Sequence, residues 1–314
     1  MKYIKDYKAG DRISDIYLCK YRQAAVTKNG KPYENVILQD KTGTIDAKVW
    51  EPDSAGIGEY DALDYIQVVG DVNSFQGALQ VSVKRIRVCQ EGEYDPADYL
   101  PVSKKGIEPM YQELTGFIDS IENSSLKTLL QNLFIRDEKF VKSFKNSSAA
   151  KTVHHSFVGG LLEHTLSVVK LCDYYCRMYP LLNRDLLLSA ALCHDIGKTR
   201  ELSAFPRNDY TDAGQFLGHI VIGVEMVGEK IREIEGFPEL LSAELKHCIL
   251  SHHGEFEFGS PKKPAIMEAA ALNFADNTDA KMQTFTELLE GTKETEWLGF
   301  NRLFESNIRK TGLK

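Results

Sequence analysis

Histidines are the residues in this chain best suited to chemistry, and they are not spread evenly. All eight, at positions 154, 155, 164, 194, 219, 247, 252 and 253, fall within one hundred-residue window. His164 lies in the run Gly159-Gly160-Leu161-Leu162-Glu163-His164-Thr165, with Leu162, Leu166 and Val169 at helical spacing around it. The pair His194-Asp195 follows the apolar run Leu186–Cys193 and precedes Ile196-Gly197-Lys198. Asp276 and Asp279 follow a second apolar run, Met267–Ala275, while His219 follows Gly218 and His252-His253 precede Gly254. A lone histidine beside an apolar run ordinarily makes one hydrogen bond, and a histidine at a helix C-terminus complements the dipole. Burying this many rings in that way would demand as many separate partners, whereas a metal centre satisfies them together. Mixed imidazole and carboxylate donors suit Mn²⁺, Fe²⁺, Co²⁺ or Zn²⁺ better than Mg²⁺, which prefers an all-oxygen shell. Lys198, three residues after Asp195, either presents its ammonium to an anion or caps a helix C-terminus. His154 and His155 divide between substrate contact and plain surface, and His247 reads as structural.

Two kinds of element must carry these residues. Up to residue 90 the pattern is of short strands, at Ile13–Cys19, Asn35–Leu38, Ile45–Val49, Tyr65–Val69 and Leu79–Val83. Turn signals separate them: Lys28-Asn29-Gly30-Lys31, Asp40-Lys41-Thr42-Gly43 and Gln76-Gly77. Such closely spaced strands predict a small barrel. From about Tyr99 the apolar period becomes helical, as at Met110, Leu114, Phe117, Ile118 and Ile121, and nearly all the rest reads as helix. The expected division has three parts. A β-rich domain occupies 1–92, and a helical domain at 146–314 holds the histidine cluster. A helical connector at 93–145 joins them and packs on the helical domain.

Composition bounds the function. With 43% hydrophobic and 26% charged residues among 314, wholesale disorder is excluded and about two domains are expected. No apolar run reaches the ~18–20 residues that cross a bilayer, and the first residues lack the apolar core of a signal peptide. The six cysteines form no CxxC pair, as in a reduced cytoplasmic protein. The net charge of −7 argues against coating nucleic acid by bulk charge, but residues 1–90 carry +1 and the remainder −8. The acidity therefore belongs to the helical part.

The stretch Asp40-Lys41-Thr42-Gly43-Thr44-Ile45-Asp46-Ala47-Lys48-Val49-Trp50 resembles the second hairpin of a nucleic-acid-binding OB-fold, and Gly70-Asp71-Val72 and Gly77–Val81 resemble its later strands. Such barrels stack bases on aromatic rings beside basic side chains. The candidate contacts are Tyr33, Trp50, Phe75, Lys48 and Arg22. Filling the barrel is the commoner fate of large aromatics, and both readings of Trp50 and Phe75 stand.

The order His164 … His194-Asp195 … Asp276 resembles the H…HD…D signature of the HD-domain metal-dependent phosphohydrolases, an all-α fold. His219, His252 and His253 match the extra histidines of members with two metals, and His194–Lys198 matches the HDxGK form, whose lysine faces substrate phosphate. Over nearly its full length the chain resembles the YhaM-type 3′→5′ exoribonucleases: an OB-fold, a helical connector, then His155-Ser156-Phe157-Val158-Gly159-Gly160-Leu161-Leu162-Glu163-His164-Thr165. One departure is Gly160, where some dinuclear relatives carry a glutamate ligand.

The resemblance implies an N-terminal all-β OB-fold barrel followed by an all-α HD domain that hydrolyses single-stranded RNA, with single-stranded DNA open as a second substrate. Two divalent ions are implied, Mn²⁺ foremost, with Fe²⁺, Co²⁺ or Zn²⁺ as alternatives. Asp195 would be shared between them. His164, His194 and Asp276 would complete one site, and His219, His252 and His253 the other. Asp195 and Lys198 are the expected catalytic residues, and Lys198 and His155 the expected substrate contacts beside those of the barrel. Two ions ~3.5–4 Å apart supply a nucleophile, neutralise phosphate charge and stabilise the leaving oxygen. A hydrolase of free nucleotides or cyclic dinucleotides, and a non-catalytic single-strand-binding protein, are the competing readings. No membrane partner is expected, and a homo-oligomer stays open.

Overall fold

The computed structural model describes residues 2–100, 102–151, 157–290 and 297–312. The chain divides into two compact units, Met1–Val102 with Phe205–Arg207, and Ser103–Ala204 with Asn208–Lys314.

The first unit is a closed five-stranded barrel. Its strands are β1 (Arg12–Val26), β2 (Pro32–Asp40), β3 (Gly43–Val49), β4 (Tyr65–Phe75) and β5 (Ala78–Val88), hydrogen-bonded in the order β1-β2-β3-β5-β4. Only the β3–β5 pairing is parallel. A closed five-stranded barrel with this order is the OB-fold. Alternation makes it close: along β2 every second residue from Glu34 to Asp40 is buried, and Val36 and Leu38 meet Tyr17, Ala47, Val49, Ile66 and Val81 in the core. Asp40 organises the β2–β3 turn by accepting hydrogen bonds from the Thr42 N–H and hydroxyl. The unit extends past the last strand because Tyr94 stacks on Tyr65 and Tyr99 meets it edge-on.

One charged cluster sits in the barrel wall. The buried Glu34 carboxylate accepts from Arg22 Nη2 at 2.6 Å and from the Tyr60 hydroxyl at 2.5 Å. Burial opposes its ionisation, but Arg22 and Tyr60 hold its carboxyl below the ordinary value of 4.5. Its stabilising contribution is therefore complete above that value and is lost as pH falls below it, through the lowered value of the folded protein. Glu34→Gln should cost about 1–3 kcal/mol near neutrality. In urea titrations the gap between wild type and variant should shrink progressively as pH falls below 4.5; a gap independent of pH there refutes this.

The second unit is helical: α1 (Ile107–Asp119), α2 (Ser124–Gln131), α3 (Glu138–Asn146), α4 (Gly160–Met178), α5 (Arg184–Cys193), the short α6 (Lys198–Glu201), α7 (Asp212–Arg232), α8 (Glu239–Ser251) and α9 (Met267–Glu290). One core joins them, with Leu114, Ile118, Leu129, Phe134 and Phe144 of the earlier segments in the same cluster as Leu161, Leu188, Val227, Ile249 and Leu272. The helix that carries the apolar run Met267–Ala275 does not stop with it, since α9 continues to Glu290 and places Asp276 and Asp279 one turn apart on one face. Nor is everything after the barrel helical: β6 (Trp297–Asn301) and β7 (Ser306–Arg309) form a hairpin, with Phe304 against Phe285 of α9. The irregular pairing between Trp297 and Phe300 disrupts the alternation that would announce such short strands. Among the described residues no helix is long and apolar enough to cross a membrane.

Candidate metal centre

Four helix ends and one helix face converge on a single buried group of imidazoles and carboxylates. His164 projects from the second turn of α4, where nearly every residue is buried because the helix runs through the core. His194 is the C-cap of α5, and His252 is the C-cap of α8. Each uses Nδ1 to donate to the carbonyl three residues earlier, Ala191 O at 2.8 Å and Ile249 O at 2.7 Å. A helix end leaves such carbonyls unsatisfied, so the histidines that end these apolar runs cap their helices through Nδ1 and leave Nε2 free to point elsewhere. His253 Nδ1 likewise donates to Phe258 O at 2.8 Å. His219 begins the second half of α7, beyond Gly218, whose φ of 72° and ψ of 160° break the helix there.

With their Nδ1 atoms engaged, these rings turn Nε2 inward. The donor atoms fall into two groups, His164/His194/Asp276 and His219/His252/His253, and within each all lie inside 4.8 Å of one another. Asp195 addresses both. Its Oδ2 is 3.4 Å from His164 Nε2 and from His194 Nε2, while its Oδ1 is 3.4 Å from His219 Nε2 and 3.7 Å from His252 Nε2. Three of the converging atoms, Asp195 Oδ1, His219 Nε2 and His252 Nε2, are buried without a hydrogen-bond partner. Orphaned donors and acceptors at one point are costly unless a ligand satisfies them. A divalent transition-metal ion fits that set of nitrogen and oxygen donors. The Nδ1 contacts are of the kind that orients histidines in metal centres.

Electrostatics prepare the same occupant. Burial opposes ionisation of Asp195, but the charges of Lys198 and His194 hold its carboxyl well below the usual range. Asp276 is held down against burial by its hydrogen bond to His164. Burial, reinforced by neighbouring imidazoles, pushes His252 and His253 down, so both are neutral at pH 7 with lone pairs available. His164 goes the other way: burial disfavours its charge, yet contacts to Asp195, Asp276 and Asp279 hold it well above its ordinary value.

The structure thus brings His164, His194, Asp195, His219, His252, His253 and Asp276 together. Lys198 is there too, as the first residue of α6 rather than at a helix C-terminus, donating from Nζ to Asp195 Oδ2 at 2.6 Å. His247 accepts from Ala265 N at 2.9 Å, tying α8 to the following loop. His154 and His155 lie outside the described residues. Two carboxylates were not singled out as partners by sequence. Asp279 accepts from His164 Nδ1 at 2.7 Å, and Glu201 accepts from His219 Nδ1 at 3.0 Å. The spacing of Asp279 from Asp276 was a signal for the first, whereas nothing local marks Glu201.

On the barrel, Tyr33 and Trp50 stack with ring centroids 5.4 Å apart, and Lys48 Nζ lies 5.6 Å from the Tyr33 centroid. Trp50 and Phe75 are 50% and 60% exposed, so neither fills the core. On the strands beside Trp50, Tyr33, Asn35 and Lys48 occupy the outward positions of β2 and β3, between buried Glu34, Val36 and Val49. Arg22 is committed to the wall, on Glu34 and over the Tyr60 ring at 4.4 Å.

An HD domain model matches residues 161–281. The chain is 36% identical over 299 residues to the 3′-5′ exoribonuclease YhaM of Geobacillus sp. (strain WCH70), covering 94% of this chain and 90% of that protein. Among solved structures, the second OB-fold domain of replication protein A from Methanococcus maripaludis aligns over 30% of this chain and 98% of its own, at 19% identity and a TM-score of 0.24. A replication protein A heterotrimer bound to single-stranded DNA aligns over 28% of this chain and 64% of its own, at 19% identity and a TM-score of 0.22.

Proposed function

Because this chain belongs to the family of the 3′-5′ exoribonuclease YhaM, we propose that it degrades single-stranded RNA from the 3′ end by metal-dependent phosphodiester hydrolysis. The observation that carries this reading is Asp195, one buried carboxylate with an oxygen toward each of two histidine groups. Two divalent ions, with Mn²⁺ foremost, would be held by His164, His194 and Asp276 on one side and His219, His252 and His253 on the other. Such ions supply Lewis-acid neutralisation of the phosphate and a nucleophile at neutral pH.

The chain's own residues prepare and complete that chemistry. Asp195 and Asp276 stay ionised in the buried site, and neutral His252 and His253 keep lone pairs directed into it. Lys198, charged at neutral pH and held on Asp195, adds a fixed positive charge for a non-bridging phosphate oxygen. His155 is a further substrate contact in this proposal. The barrel, residues 1–92, grips the strand through Tyr33, Trp50, Phe75 and Lys48, with Arg22 bracing the wall behind them. Of the connector at 93–145, residues 93–102 belong with the barrel unit and 103–145 support the hydrolytic domain at 146–314. The cytoplasm, where RNA is turned over and thiols stay reduced, is the proposed location.

A digest of end-labelled RNA tests the proposal. With Mn²⁺, 5′-labelled single strands should shorten progressively from the 3′ end, and chelator-stripped protein should leave them intact. Parallel arms with single-stranded DNA, free nucleotides and cyclic dinucleotides define the substrate class. Trp50→Ala should weaken RNA use by about 1–3 kcal/mol, the worth of one base–aromatic stack, through KM rather than kcat. Internal cleavage, or turnover of small nucleotides alone, overturns the reading.

A further inference from the structure

His219 is the ligand candidate whose position the helix does least to determine. The break at Gly218 separates it from the first half of α7, so its main-chain N–H stands at a fresh helix start. That N–H donates to Glu201 Oε1 at 2.9 Å, and the His219 ring donates from Nδ1 to the same oxygen at 3.0 Å. One carboxylate oxygen thereby fixes both the backbone and the ring of His219. Glu201 is itself secured: it is only 8% exposed, and its main-chain oxygen accepts from Thr211 N at 2.9 Å, at the N-cap of α7. His194, His252 and His253 are oriented differently, each through a neutral main-chain carbonyl.

We propose that Glu201 is a positioning residue that sets the metal affinity of the His219/His252/His253 half-site separately from that of His164/His194/Asp276. The carboxylate holds the proton of His219 on Nδ1, which leaves the Nε2 lone pair facing Asp195 and the neighbouring imidazoles. Its negative charge also makes that nitrogen a better donor than a carbonyl partner would. The inference rests on the paired-centre reading above, and adds to it a carboxylate that is not itself a ligand.

The test is metal binding, independent of turnover. Metal-stripped full-length wild type, Glu201→Gln and Glu201→Ala are titrated with Mn²⁺ and with Co²⁺ by calorimetry, and retained ions are counted by elemental analysis. Wild type should bind two ions. Glu201→Ala should weaken one of them about 10–100-fold and leave the other unchanged. Glu201→Gln keeps the volume and an acceptor oxygen but not the charge, so it should fall between the two and fold normally by circular dichroism. Two ions bound with wild-type affinities in both variants overturn the proposal, as does equal weakening of both ions. If Glu201→Ala fails to fold, Glu201→Gln decides alone: one of its two ions must be weakened and the other unchanged. Wild type that binds fewer than two ions overturns the paired-centre reading itself, and this inference with it.

Discussion

Asp195→Asn is expected to abolish RNA degradation while leaving the protein folded. Asparagine keeps the volume of the side chain, so the core around α5 needs no repacking. What it removes is a charge that both histidine groups use, since Oδ2 faces His164 and His194 and Oδ1 faces His219 and His252. An amide can offer only one oxygen, so at least one group faces an NH₂ where it needs a donor lone pair. Lys198 also loses its ionic partner and with it the geometry of its ammonium. Loss of several kcal/mol of transition-state stabilisation corresponds to a fall on the order of 10³-fold in kcat, at about 1.4 kcal/mol per factor of ten. The measurement pairs single-turnover degradation of labelled RNA with counted metal. Activity within about tenfold of wild type, under 1.4 kcal/mol, would mean that Asp195 is not shared as described.

Gly197→Ala should be nearly as damaging, although glycine carries no functional group. A Cβ at position 197 would lie 2.0 Å from His219 O and 2.8 Å from the Gly223 main-chain nitrogen. Both are backbone atoms, so no rotamer change relieves the clash, and the turn after His194-Asp195 must part from α7. That separation moves His219 away from Asp195. Overpacking of this kind costs about 1–3 kcal/mol and occasionally more, or about 2–4 °C in Tm per kcal/mol for a unit of this size. The functional loss should exceed the stability loss, because a displacement of about 1 Å at a reacting centre can cost 10²-fold. Gly116→Ala on α1 is the control: nothing lies within 4 Å of its Cβ position, and helix propensity favours alanine by up to about 1 kcal/mol. Thermal melts and RNA turnover of the two variants settle the matter. If Gly197→Ala matches Gly116→Ala in both, the close approach is not what positions His219.

Much of this centre was legible in the sequence, for a specific physical reason. A histidine that ends an apolar helix caps that helix and projects from it, so Leu186–Cys193 followed by His194-Asp195 carried both its local structure and its direction. The helix-end reading of that pair holds, since His194 caps α5, and the same ring brings Nε2 into the group with His164 and Asp276. The barrel was legible through strand alternation and the Asp40–Gly43 turn. Trp50 and Phe75 were not, because Trp50 follows the end of β3 and Phe75 closes β4 where burial no longer alternates, so neither residue type nor periodicity says whether the ring is buried. In the structure both face solvent. Arg22 was singled out as a basic side chain at a strand position, yet the buried Glu34 across the β1–β2 pair claims it.

What the sequence by itself determined is the kind of chemistry: which side chains can ligate, the short spacings His194-Asp195-x-x-Lys198 and Asp276-x-x-Asp279, and the type of element that carries each. These follow from residue identity and from periodicities that act within a few turns. Only the tertiary structure decided that the two oxygens of Asp195 face different histidine groups, that Gly197 allows α7 to approach the turn behind them, and that Glu201 holds His219. Those contacts join residues through packing of separate helices in a dense core, where a fraction of an ångström matters, and no local pattern encodes them.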